Sequence, residues 1–232
     1  MYEDAHFIAV NKPPGILVHR TRLSEDSVFV LQTLRDYVGY PLFPAHRLDR
    51  ATSGVLIFGK NAEAAQQLGL LLMAKTVEKT YCAVVRGWLP EGPQTINYPL
   101  ADPETGKNEP LEALTHYHCI ARSLIDAPIG LRYPQARFSL ALIQPQSGRR
   151  HQIRKHFAHL RHPIIGDKRH GDVKHNTYFR EVFGVSRMLL HARTLALSHP
   201  FTGEYLRIEA PCDTMFERGL AVAGLAWPPA SR

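Results

Sequence analysis

Residues 46–60 have the sequence HRLDRATSGVLIFGK, and the second half of this stretch shows what kind of sheet the chain builds. The small pair Ser53-Gly54 leads into the uninterrupted apolar run 55–58, which predicts a buried strand. Residues 61–75 follow and are rich in Ala, Gln and Leu. They predict a helix capped by Asn61.

The same kind of pattern extends outward in both directions along the chain. Further strands are predicted at residues 6–10, 79–85, 116–121, 136–143, 191–197 and 205–208. Further helices are predicted at residues 27–37 with Ser27 as cap, 149–160 and 213–223. Polar or turn-rich connections are predicted at residues 99–113, 126–135 and 167–186. Many strands without strict βαβ alternation predict an α+β fold with a mainly antiparallel sheet. No linker divides the core, so we expect one domain over residues 1–232.

Composition limits the classes of protein that the chain can belong to. The 232 residues are 44% hydrophobic and 21% charged, which excludes a disordered chain. A net charge of +7 indicates an anionic partner, which from charge alone is nucleic acid, anionic lipid or a phosphorylated metabolite. Three scattered cysteines give no CxxC pair. The N-terminus is unlike a signal peptide, and no apolar run has membrane-spanning length, so we expect a soluble cytoplasmic protein.

Most of the net positive charge lies in residues 149–170, which hold seven Lys or Arg residues against the single Asp167. A solvated helix face is the usual structure of such a run. However, Ile153, Phe157 and Leu160 form an apolar stripe at helical spacing, so the predicted helix packs on a core and its outer face stays basic. We therefore favour binding of phosphate groups.

The histidines of this segment raise the question of a metal site. His156, His159 and His162 are three residues apart, a spacing that can present imidazoles to zinc. There is no HExxH motif and no cysteine close by, and Pro163 breaks the helix beside His162. We predict that these side chains pack or contact phosphate, and that no metal is bound.

Asp49 stands between Arg47 and Arg50 in a loop-like stretch. It is either a turn residue with a surface ion pair or a carboxylate kept ionised by the guanidinium groups, able to act as nucleophile or base. The residues alone leave both alternatives open. Similarly, Tyr81 is a core residue of its strand unless that strand borders the Asp49 loop, where its ring could stack on a base.

Four segments in order resemble the RluA family of RNA pseudouridine synthases. They are NKPPGILVH, HRLDRATSGVLIFGK, EKTYCAVVRG and SGRRHQIRKHFAHLRHPIIGDKRHG, and together the resemblance covers residues 7–208. It implies an α+β catalytic domain with a central cleft, here without the S4 RNA-binding module of many relatives. The short chain, the run HLRHPIIGD and His170, where many members have tyrosine, most resemble the subgroup that modifies uridine 65 of tRNA.

The resemblance also assigns roles to individual residues. Asp49 matches the catalytic aspartate that acts in detaching uracil from C1′ before the base rejoins through C5. Arg154 matches the basic residue that pairs with that aspartate, and Tyr81 the tyrosine that packs on the flipped uracil. Arg47 matches the arginine that supports the space left in the RNA. With Arg47, the expected RNA-binding residues are Arg50, Arg149, Arg150, His151, Gln152, Lys155, Arg161 and Lys168.

The expected partner is therefore RNA, with tRNA favoured over rRNA, bound by a monomer without metal or organic cofactor. Two other classes of protein are weighed against this one. A catalytically inactive RNA-binding protein could lack Asp49, Tyr81 or Arg154, but all three are present. A hydrolase of phosphorylated sugars needs a second carboxylate, which Asp167 or Asp172 supplies only if the connection folds back on Asp49.

Overall fold

A computed structural model describes residues 1–20, 27–101, 109–129 and 133–229. The backbone forms two compact units. Unit 1 consists of Met1–Lys79 and His191–Cys212, and unit 2 of Thr80–Leu190 and Asp213–Arg232. Both units combine strands with flanking helices.

The elements of unit 1 are β1 (Tyr2–Glu3), β2 (Phe7–Lys12), α1 (Val30–Val38), β3 (Phe43–Pro44), β4 (Ser53–Gly59), α2 (Ala62–Met73), β11 (Leu190–Ser198) and β12 (Tyr205–Glu209). Its strands are ordered β1-β2-β4-β11-β12, and β3 pairs with the end of β4. Strand β4 is central and buried along its whole length, as the apolar run predicts. It pairs antiparallel with β2 and parallel with β11, so both of its edges are covered.

The core of unit 1 lies between this sheet and α2. Ile57 of β4 packs in one cluster with Phe7, Leu68 of α2 and Leu195 of β11. The predicted cap of α2 is confirmed, because the Asn61 side chain accepts the N–H of Ala64 at 2.8 Å. Helix α2 packs on β4 and so holds in place the strand that follows residues 46–54.

The predicted cap of the first helix is wrong. Helix α1 begins at Val30, after Phe29, and Ser27 does not cap it. The N–H groups of Val30 and Leu31 instead donate to the carbonyls of Leu17 and Val18, both at 3.0 Å. Backbone acceptors from another segment satisfy the first turn, so a side-chain cap is not needed.

The elements of unit 2 are β5 (Glu78–Arg86), β6 (Pro93–Asn97), β7 (Leu100–Ala101), β8 (Pro110–Leu111), β9 (Leu114–Ile125), β10 (Ala136–Pro145), α3 (Gln152–His159), α4 (Val173–Glu181) and α5 (Thr214–Val222). Its large sheet is ordered β5-β10-β9-β6, with all pairs antiparallel, and β7 pairs with β8. The mainly antiparallel α+β fold is thus confirmed.

Two predictions for unit 2 need correction. Residues 167–186 are not a plain connection, because they contain α4, whose cap Asp172 accepts the N–H of His175 at 3.0 Å. Within α4 only Phe179 is buried, so the helical stripe in the sequence is too short to stand out. Helix α3 also begins three residues later than predicted. Parts of two predicted loops, residues 102–108 and 130–132, lie outside the described residues.

Candidate active site

The segment that holds Asp49 is anchored at its start by a neutral histidine. The backbone N–H of Ile57 donates to Nε2 of His46 at 3.2 Å. Burial, with a smaller contribution from the Lys79 ammonium, lowers the pKa of His46 to about 4. The ring therefore stays an acceptor at neutral pH and ties residue 46 to strand β4.

A buried lysine holds the middle of the segment. Lys12 is fully buried, and its ammonium donates to the carbonyls of Pro13 and Ile16 at 2.8 Å and of Arg50 at 3.1 Å. The Arg50 carbonyl also accepts the N–H of Gly15 at 2.8 Å, and Arg50 Nε donates back to the Gly15 carbonyl at 2.9 Å. A buried charge is tolerated only when it is well hydrogen-bonded. Lys12 thus joins the residue after Asp49 to the NKPPG turn.

The end of the segment is packed directly on β11. Gly54 has a φ of +113°, and a Cβ at this position would lie 2.1 Å from the Ala192 carbonyl oxygen. Next to it, the Ser53 hydroxyl lies 2.8 Å from Nδ1 of His191, whose Nε2 lies 3.0 Å from the Ala210 carbonyl. Because Nε2 must donate to that carbonyl, Nδ1 accepts from Ser53. Both residues fix where the segment enters β4.

Asp49 itself is half-buried in the turn between these anchors. Its carbonyl accepts the N–H of Thr52 at 3.1 Å. Arg47 and Arg50, which are two of the predicted RNA-binding residues, are exposed before and after it in the chain. The turn therefore holds Asp49 on a backbone that is anchored at three points, with two exposed arginines close to it in the sequence.

In unit 2, Tyr81 lies on β5 opposite Ile143 of β10. It is only half-buried, whereas the four residues that follow it, 82–85, are buried. A tyrosine that serves the core would share the burial of those neighbours. Its partial exposure agrees with a ring that keeps some surface for a ligand.

Arg154, the predicted basic partner, is buried in α3 and pairs with Asp167. Its Nε donates to Oδ2 and its Nη2 to Oδ1, both at 2.8 Å. Oδ1 also accepts the N–H groups of Arg169 at 2.9 Å and His170 at 3.1 Å. Burial alone would raise the pKa of Asp167, but these donors outweigh it and hold the pKa below its usual value. The pair is therefore ionised at neutral pH.

Several of the predicted RNA-binding residues have protein partners, and two of them lie at the start of α3. The buried Gln152 amide accepts from Ser147 Oγ at 2.7 Å and the Arg149 N–H at 3.0 Å, and donates to the Leu114 carbonyl at 3.0 Å. His151, which has a φ of 55°, lies with Nδ1 2.9 Å from Nε2 of His170. Both side chains shape the start of α3.

The other histidines of this region also have protein partners. His156 is fully buried, with Nδ1 2.9 Å from Thr115 Oγ1 and Nε2 3.0 Å from the Tyr98 carbonyl. His162 Nδ1 lies 2.8 Å from the Arg86 carbonyl. Within the described ranges no group of three or more His, Cys, Asp or Glu residues is placed to hold a metal ion.

The remaining predicted cations lie at or near the surface of unit 2. Arg149, Arg161 and Lys168 are exposed, and Arg150 and Lys155 are half-buried. This set, which we call the basic surface, carries most of the net charge that the sequence places in residues 149–170. The two acidic residues near the basic surface both form ion pairs, Asp167 with Arg154 and Asp172 with Arg86.

Sequence reasoning missed two residues that support the site. Lys12 looks like a surface residue of a turn, and only the structure shows that it is buried. The sequence singles out Asp167 as the one acid in a basic run and as a possible second carboxylate of a hydrolase, but not as a partner of Arg154. The sequence does contain an indication of this role, since a single acid among seven cations is expected to pair with one of them. None of the helices in the parts of the chain that are described is long and apolar enough to cross a membrane.

Comparison with known proteins places the chain in a family. The RNA pseudouridylate synthase family matches residues 6–159, a range that includes Asp49, Tyr81 and Arg154. The chain is 44% identical over 227 residues to a protein of Vibrio parahaemolyticus named tRNA pseudouridine synthase C, covering 94% of this chain and 92% of the relative. A Salmonella typhimurium protein of the same name is 44% identical over 234 residues, covering 97% and 89%.

Solved structures agree with this placement. Human RNA pseudouridylate synthase domain containing 1 has a TM-score of 0.71 and 25% identity, covering 91% of this chain and 82% of its own. Human RNA pseudouridylate synthase domain containing 4 has a TM-score of 0.76 at 22% identity and supports the fold, covering 98% and 93%. The chain therefore belongs to the RNA pseudouridylate synthase family, as its resemblance to the RluA members predicts, and it is an RNA-modifying isomerase.

Proposed function

We propose that the protein isomerises uridine to pseudouridine in tRNA, at position 65. The observation that carries this proposal is the 44% identity, over nearly the whole chain, to proteins named tRNA pseudouridine synthase C. The same relatives favour tRNA over rRNA as substrate. The firmly anchored turn that presents Asp49 supports catalysis over passive RNA binding, because an inert protein has no need for a fixed carboxylate.

In the proposed reaction the bond between C1′ and N1 of uridine breaks and a bond between C1′ and C5 forms. N1 gains a proton and C5 loses one, so the mass of the RNA is unchanged. Asp49 serves as the nucleophile at C1′, although the same carboxylate could instead assist formation of a glycal. Either route needs a carboxylate at this position.

The base must leave its stack to reach Asp49, and this costs a few kcal/mol. We assign Tyr81 to stacking on the extruded uracil, Arg47 to supporting the vacated space, and Arg154 to pairing with Asp49. The half-buried ring of Tyr81 supports its assignment, whereas those of Arg47 and Arg154 rest on the family resemblance of their segments. The basic surface binds phosphates along the RNA.

The substrate is tested with tRNA and rRNA transcripts that carry tritium at C5 of uridine. Because C5 loses its hydrogen when the new bond forms, the purified protein should release tritium to water from tRNA. Release from rRNA alone would refute the tRNA assignment and leave an rRNA-specific isomerase. Release from neither RNA would support the inactive RNA-binding alternative.

Replacing Tyr81 should separate a stacking role from a core role. Stacking of a base on an aromatic ring is worth about 1–3 kcal/mol, so Tyr81→Leu should lower turnover by roughly 5- to 150-fold while the protein stays folded. Tyr81→Phe keeps the ring and is the matched control. Turnover is measured under saturating tRNA, and folding by thermal unfolding. Equal activity of the leucine and phenylalanine variants would show that the ring does not stack on the substrate.

RNA affinity should depend steeply on salt because the basic surface releases counterions from phosphates. The slope of log affinity against log salt is about −0.7 to −0.9 per phosphate neutralised. Arg161→Ala together with Lys168→Ala should make this slope shallower. Arg180→Ala is the control, because Arg180 is exposed on α4 and pairs with Glu181 at 3.0 Å. An unchanged slope in the double variant would mean that the RNA crosses another face.

A further inference from the structure

The Arg154–Asp167 pair fixes the orientation of the Arg154 guanidinium and also neutralises its charge. Nε and Nη2 of Arg154 form one edge of the guanidinium, and both donate to Asp167 at 2.8 Å. Such a two-point contact holds the plane of the group, whereas a single contact would let it turn. The edge that carries Nη1 consequently faces away from Asp167.

Asp167 is itself held by the loop between α3 and α4. Its Oδ1 accepts two backbone N–H groups, and its carbonyl accepts from Asn176 Nδ2 at 2.8 Å. The loop is closely packed at its glycines, where a side chain would not fit. A Cβ on Gly166 would lie 2.0 Å from the Arg187 carbonyl oxygen, and one on Gly171 would lie 2.1 Å from that of Asp167.

A second contact joins the same loop to the start of α3. His170 Nε2 lies 2.9 Å from Nδ1 of His151, the residue that precedes the helix. The loop therefore contacts α3 at two points, His151 and Arg154, about one turn apart. The helix cannot rotate about its axis without breaking one of these contacts.

We propose that Asp167 is the positioning residue for Arg154, orienting its guanidinium so that the Nη1 edge is presented to the reacting nucleotide. This inference rests on the proposed function, which gives Arg154 its part in the reaction. Asp167 does not touch the substrate. It acts by holding Arg154 in one orientation before the RNA binds. The guanidinium then does not have to be ordered during the reaction, so that entropic cost is avoided.

The test is a double-mutant cycle on turnover of tRNA, using Asp167→Asn, Arg154→Lys and the double variant. Misplacement of a reacting group by about 1 Å can cost roughly 100-fold, so Asp167→Asn should lower kcat about 10- to 100-fold, with KM within about threefold of wild type. In the Arg154→Lys background the same change should cost less than about threefold, because residues that act through one another are not additive.

A matched control separates positioning from general loosening of the loop. Asp172 lies five residues further on, pairs with Arg86 and caps α4. Asp172→Asn keeps the cap, because asparagine caps as well as aspartate, but it weakens the ion pair. We expect a lower melting temperature and unchanged kcat. If Asp172→Asn lowers kcat as much as Asp167→Asn does, the effect comes from the loop and the proposal is wrong.

The outcomes also distinguish this inference from the function on which it rests. Full activity of Arg154→Lys would show that the orientation of the guanidinium is not needed, which would overturn the inference and leave the proposed function in place. An impaired Arg154→Lys beside a fully active Asp167→Asn, or multiplying effects in the double variant, would overturn the positioning role alone. If Asp167→Asn does not fold, Asp167→Glu takes its place in the double-mutant cycle. Glutamate keeps the negative charge, but its longer side chain displaces the carboxylate.

Discussion

Asp49→Asn is expected to abolish pseudouridine formation while RNA affinity stays within about tenfold, or 1.4 kcal/mol, of wild type. Asparagine is nearly isosteric with aspartate and keeps the ability to hydrogen-bond, but it provides no carboxylate nucleophile or base. The backbone of the turn should be unchanged, because its anchors are the ammonium of Lys12 and the rings of His46 and His191.

The control for this variant is Asp36→Asn. Asp36 lies exposed on α1, where it accepts from Gln32 Nε2 at 2.7 Å. The two substitutions remove the same charge from unit 1, so a difference in activity reports on position and not on net charge. Tritium release from C5 gives the rate, and filter binding gives the affinity. Substantial activity of Asp49→Asn would make Asp49 a structural turn residue.

Gly54→Ala should cause the largest loss of stability among single methyl additions in the segment. The positive φ of Gly54 costs about 1–3 kcal/mol for any other residue. The added methyl must also displace the backbone of Ala192, and overpacking of this kind costs about 1–3 kcal/mol more. We therefore expect roughly 2–6 kcal/mol of destabilisation, measured by denaturant unfolding, and loss of the ordered Asp49 turn.

Gly69→Ala is the matched control for this change. Gly69 lies inside α2, and a Cβ there would meet no atom within 4 Å. Alanine favours a helix over glycine by about 1 kcal/mol, so this variant should be as stable as wild type or more stable. A Gly54→Ala protein with wild-type stability would show that β4 and β11 do not approach as closely as described.

Local patterns in the sequence were sufficient for much of the fold. The apolar run 55–58 and the Asn61 cap depend on neighbours in the chain, and both predictions are confirmed. The start of α1 could not be predicted, because its acceptors are carbonyls of residues 17 and 18, more than ten positions away. Helix α4 was missed because it buries so little of its surface.

The candidate site shows the same division. The resemblance to family motifs identifies Asp49, Tyr81 and Arg154 separately, because each lies in a motif that is recognisable by itself. The supporting contacts join distant residues: Lys12 reaches Arg50, and Arg154 reaches Asp167. Nothing in a single sequence encodes such pairs directly, since they depend on which loops the fold brings together.

Mapping pseudouridine at nucleotide resolution, in an unmodified tRNA transcript incubated with the purified protein, tests both the target position and the role of Asp49 most directly. We expect one pseudouridine, at position 65, in RNA of unchanged mass, and none after incubation with Asp49→Asn. A tRNA transcript that stays unmodified while an rRNA transcript gains pseudouridine would contradict the tRNA assignment, and equal modification by Asp49→Asn would contradict the catalytic role of Asp49.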